Sequence, residues 1–144
     1  MDAEHDVGLT HIALVVSDLD ASIAFYQRYA GMRVVHRRAT PGGGVAWISD
    51  LTRPFAIVLA QGPTREPGLG PFAHLGVACR SRDEVDRLVA RAAAEGCLRG
   101  GPTDSGPPVG YWAFLSDPDG HTLELTYGQQ VEHTVGEARA ERAG

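Results

Sequence analysis

Lysine and asparagine are absent from the 144-residue chain, so all 13 basic side chains are arginine. A Schiff-base lysine and a P-loop lysine are therefore excluded, and so is N-glycosylation. Both absences fit the codon bias of a GC-rich genome. Cysteine is scarce. Cys79 and Cys97 are the two present, with no metal-motif spacing, which reads as reduced, buried thiols of a cytoplasmic protein rather than a disulfide. Long apolar runs are missing. Runs such as Ile12 to Val16 fall far short of the roughly 20 residues of a membrane span. The first residues, Met-Asp-Ala-Glu-His-Asp, are acidic and lack an apolar stretch, so no signal peptide is expected. Positive charge is in deficit, with a net charge of −5 and a pI near 5.6. The densest basic spot, His-Arg-Arg at 36–38, is too short for the stripe a nucleic-acid binder carries.

What is present suits a soluble globular protein: 43% hydrophobic and 22% charged residues in 15.3 kDa. That is one domain, or one domain built from two small halves. Leu9 to Val16 reads as a strand. Asp18 or Asp20 caps a helix from 20 to 30, and Gly31 stops it. Met32 to Arg38, Val45 to Ser49 and Phe55 to Ala60 read as strands, separated by turns at Pro41–Gly44 and Thr52–Pro54. Gln61 to Pro71 reads as a Gly/Pro-rich linker. Phe72 to Cys79 is a further strand, and Ser81-Arg-Asp-Glu84 is a capping box. Val85, Leu88, Val89, Ala92 and Ala93 then form the stripe of a one-sided helix ended by Gly96. A Gly/Pro-rich connection follows from Gly100 to Gly110, either a lid or a plain loop. Tyr111 to Leu115 and His121 to Tyr127 are strands around a tight turn at Asp117-Pro-Asp-Gly120. The residues from Gly128 are a short helix or a frayed tail.

The order repeats. Thr10 to Leu14 lies over Ala73 to Val77 at an offset of 63, and Phe55–Gly62 over His121–Gly128 at an offset of 66. The chain reads as a duplicated βαβββ unit whose halves share a core.

Each half opens on a strand with a lone histidine, His11 and His74. Alternation places His11 with Ala13 and Val15, and His74 with Gly76 and Ala78. In both strands the small residues share the histidine face, leaving room for a cavity. Glu124 shares its face with Thr122 and Thr126. A lone strand histidine is usually structural. Two at repeat-equivalent positions, with a carboxylate that is costly to bury unpaired, favour a facial-triad metal site with open positions, suited to Fe, Mn, Co, Ni or Zn.

The chain resembles the vicinal oxygen chelate superfamily. The resemblance rests on Thr10-His11 through Asp18, Ser22 to Tyr26, Gly31-Met32, the His74 strand and Asp117 to Leu125, and covers residues 8–127. It implies an α+β fold of two tandem βαβββ modules, forming a curved, cup-shaped eight-stranded mixed sheet with helices on its convex face. The modules are 8–60 and 72–127 of one domain, with a linker at 61–71 and tails at 1–7 and 128–144. It further implies a divalent metal held by His11, His74 and Glu124 and a small substrate bound through two neighbouring oxygens, with Glu124 also moving protons. A homodimer is expected, each cup formed within a chain or swapped between chains. Three departures narrow the chemistry. Val58 stands where glyoxalase I carries a fourth ligand, which argues against that reaction. Ala13 and the missing lysine argue against a fosfomycin-type thiol transfer. Phe114 stands where extradiol dioxygenases carry a tyrosine. The resemblance implies a lyase, isomerase or dioxygenase; the alternative is a protein that sequesters a planar natural product, as bleomycin-binding proteins do.

Trp47, Tyr111, Trp112 and Phe114 are candidates to line the pocket and stack on a planar substrate. His36 and Arg38 share a face and suit an anionic group or plain solvent, and Arg38 is the candidate carried forward. His121 is expected at the surface, and His5 and His133 in uninvolved tails.

Overall fold

A computed structural model describes residues 9–64 and 72–143. The N-terminal tail with His5, and most of the expected linker, lie outside the described residues. The element order is β1 (His11–Val16), α1 (Leu19–Ala30), β2 (Arg33–Arg38), β3 (Val45–Ser49), β4 (Ala56–Gln61), β5 (His74–Ala78), α2 (Arg82–Glu95), β6 (Leu98–Asp104), β7 (Tyr111–Ser116), β8 (Thr122–Tyr127) and α3 (Val131–Ala143). This is βαβββ twice, an α+β chain of two tandem modules. The eight strands form two four-stranded mixed sheets, ordered β1-β4-β3-β2 and β5-β8-β7-β6. The chain divides into two compact units, Met1–Gly70 with Asp117–Gly120, and Pro71–Ser116 with His121–Gly144.

In the first unit, Asp18 caps α1 by accepting a hydrogen bond from the Ala21 amide at 3.0 Å. Gly31 ends the helix at φ 62, a left-handed turn that glycine adopts without a Cβ penalty. Leu19, Ile23, Phe25, Tyr26 and Tyr29 are the buried stripe of α1. They meet the Leu14, Val16, Ala46, Ile48, Ile57 and Leu59 side of the sheet, which is buried throughout. The β7–β8 turn belongs to this unit. Its Asp117 is buried and accepts a hydrogen bond from the Tyr26 hydroxyl at 2.8 Å. Asp119 accepts from the Ser17 amide at 3.0 Å.

The second unit repeats the plan. Ser81 accepts from the Glu84 amide at 3.0 Å. The Glu84 carboxylate reaches back to the Arg80 amide at 2.6 Å, one residue beyond the usual capping-box donor. Val85, Leu88, Val89 and Ala92 of α2 are buried, as are Ala113, Leu115, Leu123 and Leu125.

The register carries the duplication. Parallel pairing sets His11 beside Ala56 and Ala13 beside Val58. It likewise sets His74 beside Thr122 and Gly76 beside Glu124. Val58 therefore occupies the place in the first sheet that Glu124 occupies in the second.

Three expectations are corrected. The Gly100–Gly110 connection is half strand, because β6 runs to Asp104 and leaves a loop of 105–110. The strand was hidden by register shifts between Leu98 and Gly100 and between Gly100 and Thr103, which break the alternation. Gly101 also sits at φ 85, and a Cβ there would come within 2.8 Å of the Trp112 carbonyl oxygen. His121 is buried rather than at the surface, following a turn whose Asp117 is itself buried and accepts a hydrogen bond from Tyr26. Both cysteines are free, as expected, but half-buried. The stretch after Gly128 is the helix of the two alternatives, α3, and none of its side chains is buried. Among the described residues no helix is long and apolar enough to cross a membrane.

Candidate functional site

Partners in a β ladder share a face, so the register sorts each sheet into a side under its helix and an open side. The open side of the second sheet carries His74, Gly76 and Ala78 of β5, Thr122, Glu124 and Thr126 of β8, and Trp112, Phe114 and Ser116 of β7. His74 and Glu124 meet there, with Nε2 3.0 Å from Oε2. The other ring nitrogen, Nδ1, donates to the Phe72 carbonyl oxygen at 2.7 Å. A carbonyl can only accept, so Nδ1 carries a proton, and this fixes the ring in the orientation that turns Nε2 toward Glu124.

The donor set fits a divalent ion. A second-sphere carbonyl on one imidazole nitrogen is the usual support of a metal-binding histidine. The imidazole nitrogen and carboxylate oxygen that face each other at 3.0 Å are donor types that divalent transition ions take. Glu124 is 8% exposed, and a carboxylate so buried needs a cation or a proton beside it. Gly76 keeps the flank of the carboxylate open, since a Cβ there would lie 3.7 Å from Oε2.

An aromatic row continues from the histidine. The Phe72 ring meets His74 edge-on at 5.3 Å, Phe114 lies 5.2 Å from His74, and Trp112 lies 4.8 Å from Phe114. The Trp112 indole donates to the Ser105 hydroxyl at 2.9 Å. Tyr111 is set apart from this row. It lies on the α2 side, where its hydroxyl hydrogen-bonds Asp86 and the Arg82 guanidinium sits 3.9 Å above its ring. Its phenol is pushed up first by that hydrogen bond and then by burial.

In the first unit, His11, Ala13 and Val15 are exposed. His11 Nδ1 shares a hydrogen bond with the Thr10 hydroxyl at 2.9 Å. Trp47 is 41% exposed and lies tilted against His36, ring centres 4.8 Å apart. Arg38 is exposed on β2, opposite Val45. Among the described residues no group of three or more His, Cys, Asp or Glu side chains is assembled, the expected set of His11, His74 and Glu124 included.

Two participants were not foreseen. Phe72, which is 78% exposed, supplies both the carbonyl and an edge to His74; its signal was an aromatic two residues before the histidine. Arg99 hydrogen-bonds the Thr122 hydroxyl from β6. The sequence conceals it because Leu98–Asp104 carries no strand alternation.

Comparison with known proteins follows the same lines. The model of the Glyoxalase/Bleomycin resistance protein/Dioxygenase superfamily matches residues 8–125. An uncharacterized protein of Pseudomonas aeruginosa, PA2024, is 44% identical over 126 residues, covering 85% of this chain and 90% of that one. A lactoylglutathione lyase of Neisseria meningitidis serogroup A is 30% identical over 133 residues, covering 88% and 95%. The solved structure of the fosfomycin resistance protein FosX from Listeria monocytogenes, complexed with Mn(II) and sulfate, superposes with a TM-score of 0.69 at 22% identity, covering 93% and 99%. At that identity the likeness is one of fold.

Proposed function

This chain belongs to the glyoxalase/bleomycin resistance protein/dioxygenase superfamily, and on that premise we propose that it is a divalent-metal enzyme binding a small substrate through vicinal oxygens. The observation that carries the reading is His74 Nε2 facing Glu124 Oε2 at 3.0 Å, with Nδ1 held by a backbone carbonyl. His74 and Glu124 are two of the proposed ligands, and His11 is the third by its repeat equivalence with His74. Fe, Mn, Co, Ni and Zn all suit two imidazoles and a carboxylate. When bound, the ion supplies Lewis acidity to the two substrate oxygens.

The chain's own residues do the rest. Phe72 holds the His74 ring in register. Glu124 takes up and returns a proton at Oε2, in a lyase, isomerase or dioxygenase reaction. Trp112 and Phe114 exclude water beside it and stack a planar part of the substrate. Trp47 and Arg38 are the substrate-binding groups proposed on the first sheet, while Tyr111 leaves the set because it faces α2. Val58 at the Glu124-equivalent place argues for a three-ligand site. The proposed working form is a homodimer, supported by apolar side chains such as Val15 and Trp47 on an uncovered sheet face. The free thiols support a reducing compartment, the cytoplasm.

Metal analysis tests the reading. Protein stripped with chelator and reloaded should take up about one ion per chain, and His74→Ala and Glu124→Gln should lose it. Well under one ion, restored by none of the five metals, overturns it. A second reading, sequestration of a planar natural product, is favoured by the aromatic row; it predicts ligand binding unchanged in a His11→Ala, His74→Ala double variant.

A further inference from the structure

The open side of the second sheet is polar at one end and aromatic at the other. Along β8 it presents Thr122, Glu124 and Thr126, spanning about 13 Å at strand rise. Thr122 pairs with His74, and Thr126 pairs with Trp112. The proposed ligand Glu124 stands between them.

Arg99 provides the charge at the first end. Leu98 pairs with Leu115 and Gly100 with Phe114, so β6 spends two residues where β7 spends one. Arg99 is the extra residue of that bulge, and bulges re-aim side chains. Its guanidinium hydrogen-bonds the Thr122 hydroxyl. Thr122 is buried and shares its face with His74, so the cation is anchored on the open side, one strand spacing from the histidine. A guanidinium has five N–H donors in a planar fork suited to a carboxylate or phosphonate. At the other end, Trp112 and Phe114 offer a flat apolar surface.

We infer that Arg99 is a specificity-determining residue that selects, for the proposed metal site and resting on that reading, substrates in which one of the chelating oxygens belongs to an anionic carboxylate, with a planar apolar body on the other side. The substrate class is that of aryl-substituted 2-hydroxy or 2-oxo acids. Thr122 positions the guanidinium, and the Trp112 and Phe114 rings receive the aryl group.

The test uses Mn(II)-loaded full-length protein and two probes. Mandelate carries a phenyl ring, a hydroxyl and a carboxylate; mandelamide is its neutral counterpart. Mn(II) affinity is read first, by electron paramagnetic resonance, in the parent and in Arg99→Gln, Arg99→Lys and Trp112→Ala. It is expected to be equal in all four, which also reports intact folding of the site. Mandelate binding, read by calorimetry, should weaken about tenfold or more in Arg99→Gln, the loss expected for one charge-assisted contact. Mandelamide binding should change about twofold or less, and Arg99→Lys should recover part of the loss. Trp112→Ala should weaken both probes alike. Failure of the parent to bind Mn(II) overturns the metal reading, and this inference with it. Mn(II) binding with mandelate insensitive to Arg99→Gln, or with neither probe bound, overturns the inference and leaves the metal reading standing.

Discussion

Tyr26 shows how one side chain ties a turn to a core. Its hydroxyl donates to buried Asp117, whose other oxygen accepts from the Asp119 amide at 2.9 Å. Burial, and then the Asp117 charge, push the phenol well above its ordinary range. The folded state therefore holds the proton more tightly than the unfolded chain does. That stability is present in full below the ordinary tyrosine pKa of about 10 and is lost as pH rises above it. Tyr26→Phe should cost about 1–3 kcal/mol near neutrality, because it leaves a buried carboxylate short of a donor. It should also flatten the alkaline loss; urea titrations of both proteins at neutral and strongly alkaline pH check both. Cys79 makes a second case. Burial, with Glu84 nearby, pushes its thiol from 9.0 to about 11. At mildly alkaline pH its thiolate fraction, and so its alkylation by iodoacetamide, should be about a hundredfold below that of an unperturbed thiol; mass mapping of labelled Cys79 over time measures it. At this scale the sequence was legible where alternation governs. His11, His74 and Glu124 share faces with small residues, as the pattern requires. Tyr111 and His121 were not legible. The open-side positions of β7 are the even-numbered ones, and the packing of a turn does not show in its residue types.

Elements were legible to the extent that local signals agreed. Asp18, Gly31, Ser81 and Gly96 bound the two buried helices as their chemistry demands. β6 was not legible. A strand of sequence Leu-Arg-Gly-Gly-Pro-Thr-Asp reads as a loop, and tertiary pairing with β7 overrides that local preference. Gly101 is where the override depends on one residue. Its φ of 85 and the backbone atoms of Trp112 and Ala113, 2.8 and 3.0 Å from where a Cβ would stand, leave no flexible neighbour to give way. Gly101→Ala should cost about 1–3 kcal/mol, read as a shift in denaturation midpoint without a change in slope. It should also displace Arg99, two residues away. The opposite expectation holds for α3. With no side chain buried, a chain ending before Val131 should keep its stability within about 0.5 kcal/mol. A larger drop in urea midpoint would show that the helix packs on something.

At the scale of the molecule, duplication was the most legible feature and reaction the least. The offsets of 63 and 66 emerged from residue matches alone, and the paired registers of β1 with β4 and β5 with β8 repeat them. Symmetry of scaffold did not bring symmetry of chemistry. One sheet has Glu124 where the other has Val58, and one scaffold supports many reactions because a few such positions change. The same asymmetry assigns the cost of an empty site. The buried carboxylate stands on the second sheet, beside His74, so folding with no ion present leaves Glu124, among the described residues, dependent on that one ring. An ion that binds the folded chain and not the unfolded one should stabilise it by about 2.7 kcal/mol at a hundred times its dissociation constant. For a chain of this size that is a rise in melting temperature of about 5–10 °C. Differential scanning calorimetry with Mn(II) or Zn(II) should show that rise in the parent. Glu124→Gln, which removes the charge and keeps the shape, should melt at or above the parent without metal and show little rise with it. His11→Ala should reduce the rise as well, since His11 is counted among the ligands. A rise undiminished in both variants would place the ion elsewhere and leave the His74–Glu124 pair a structural contact.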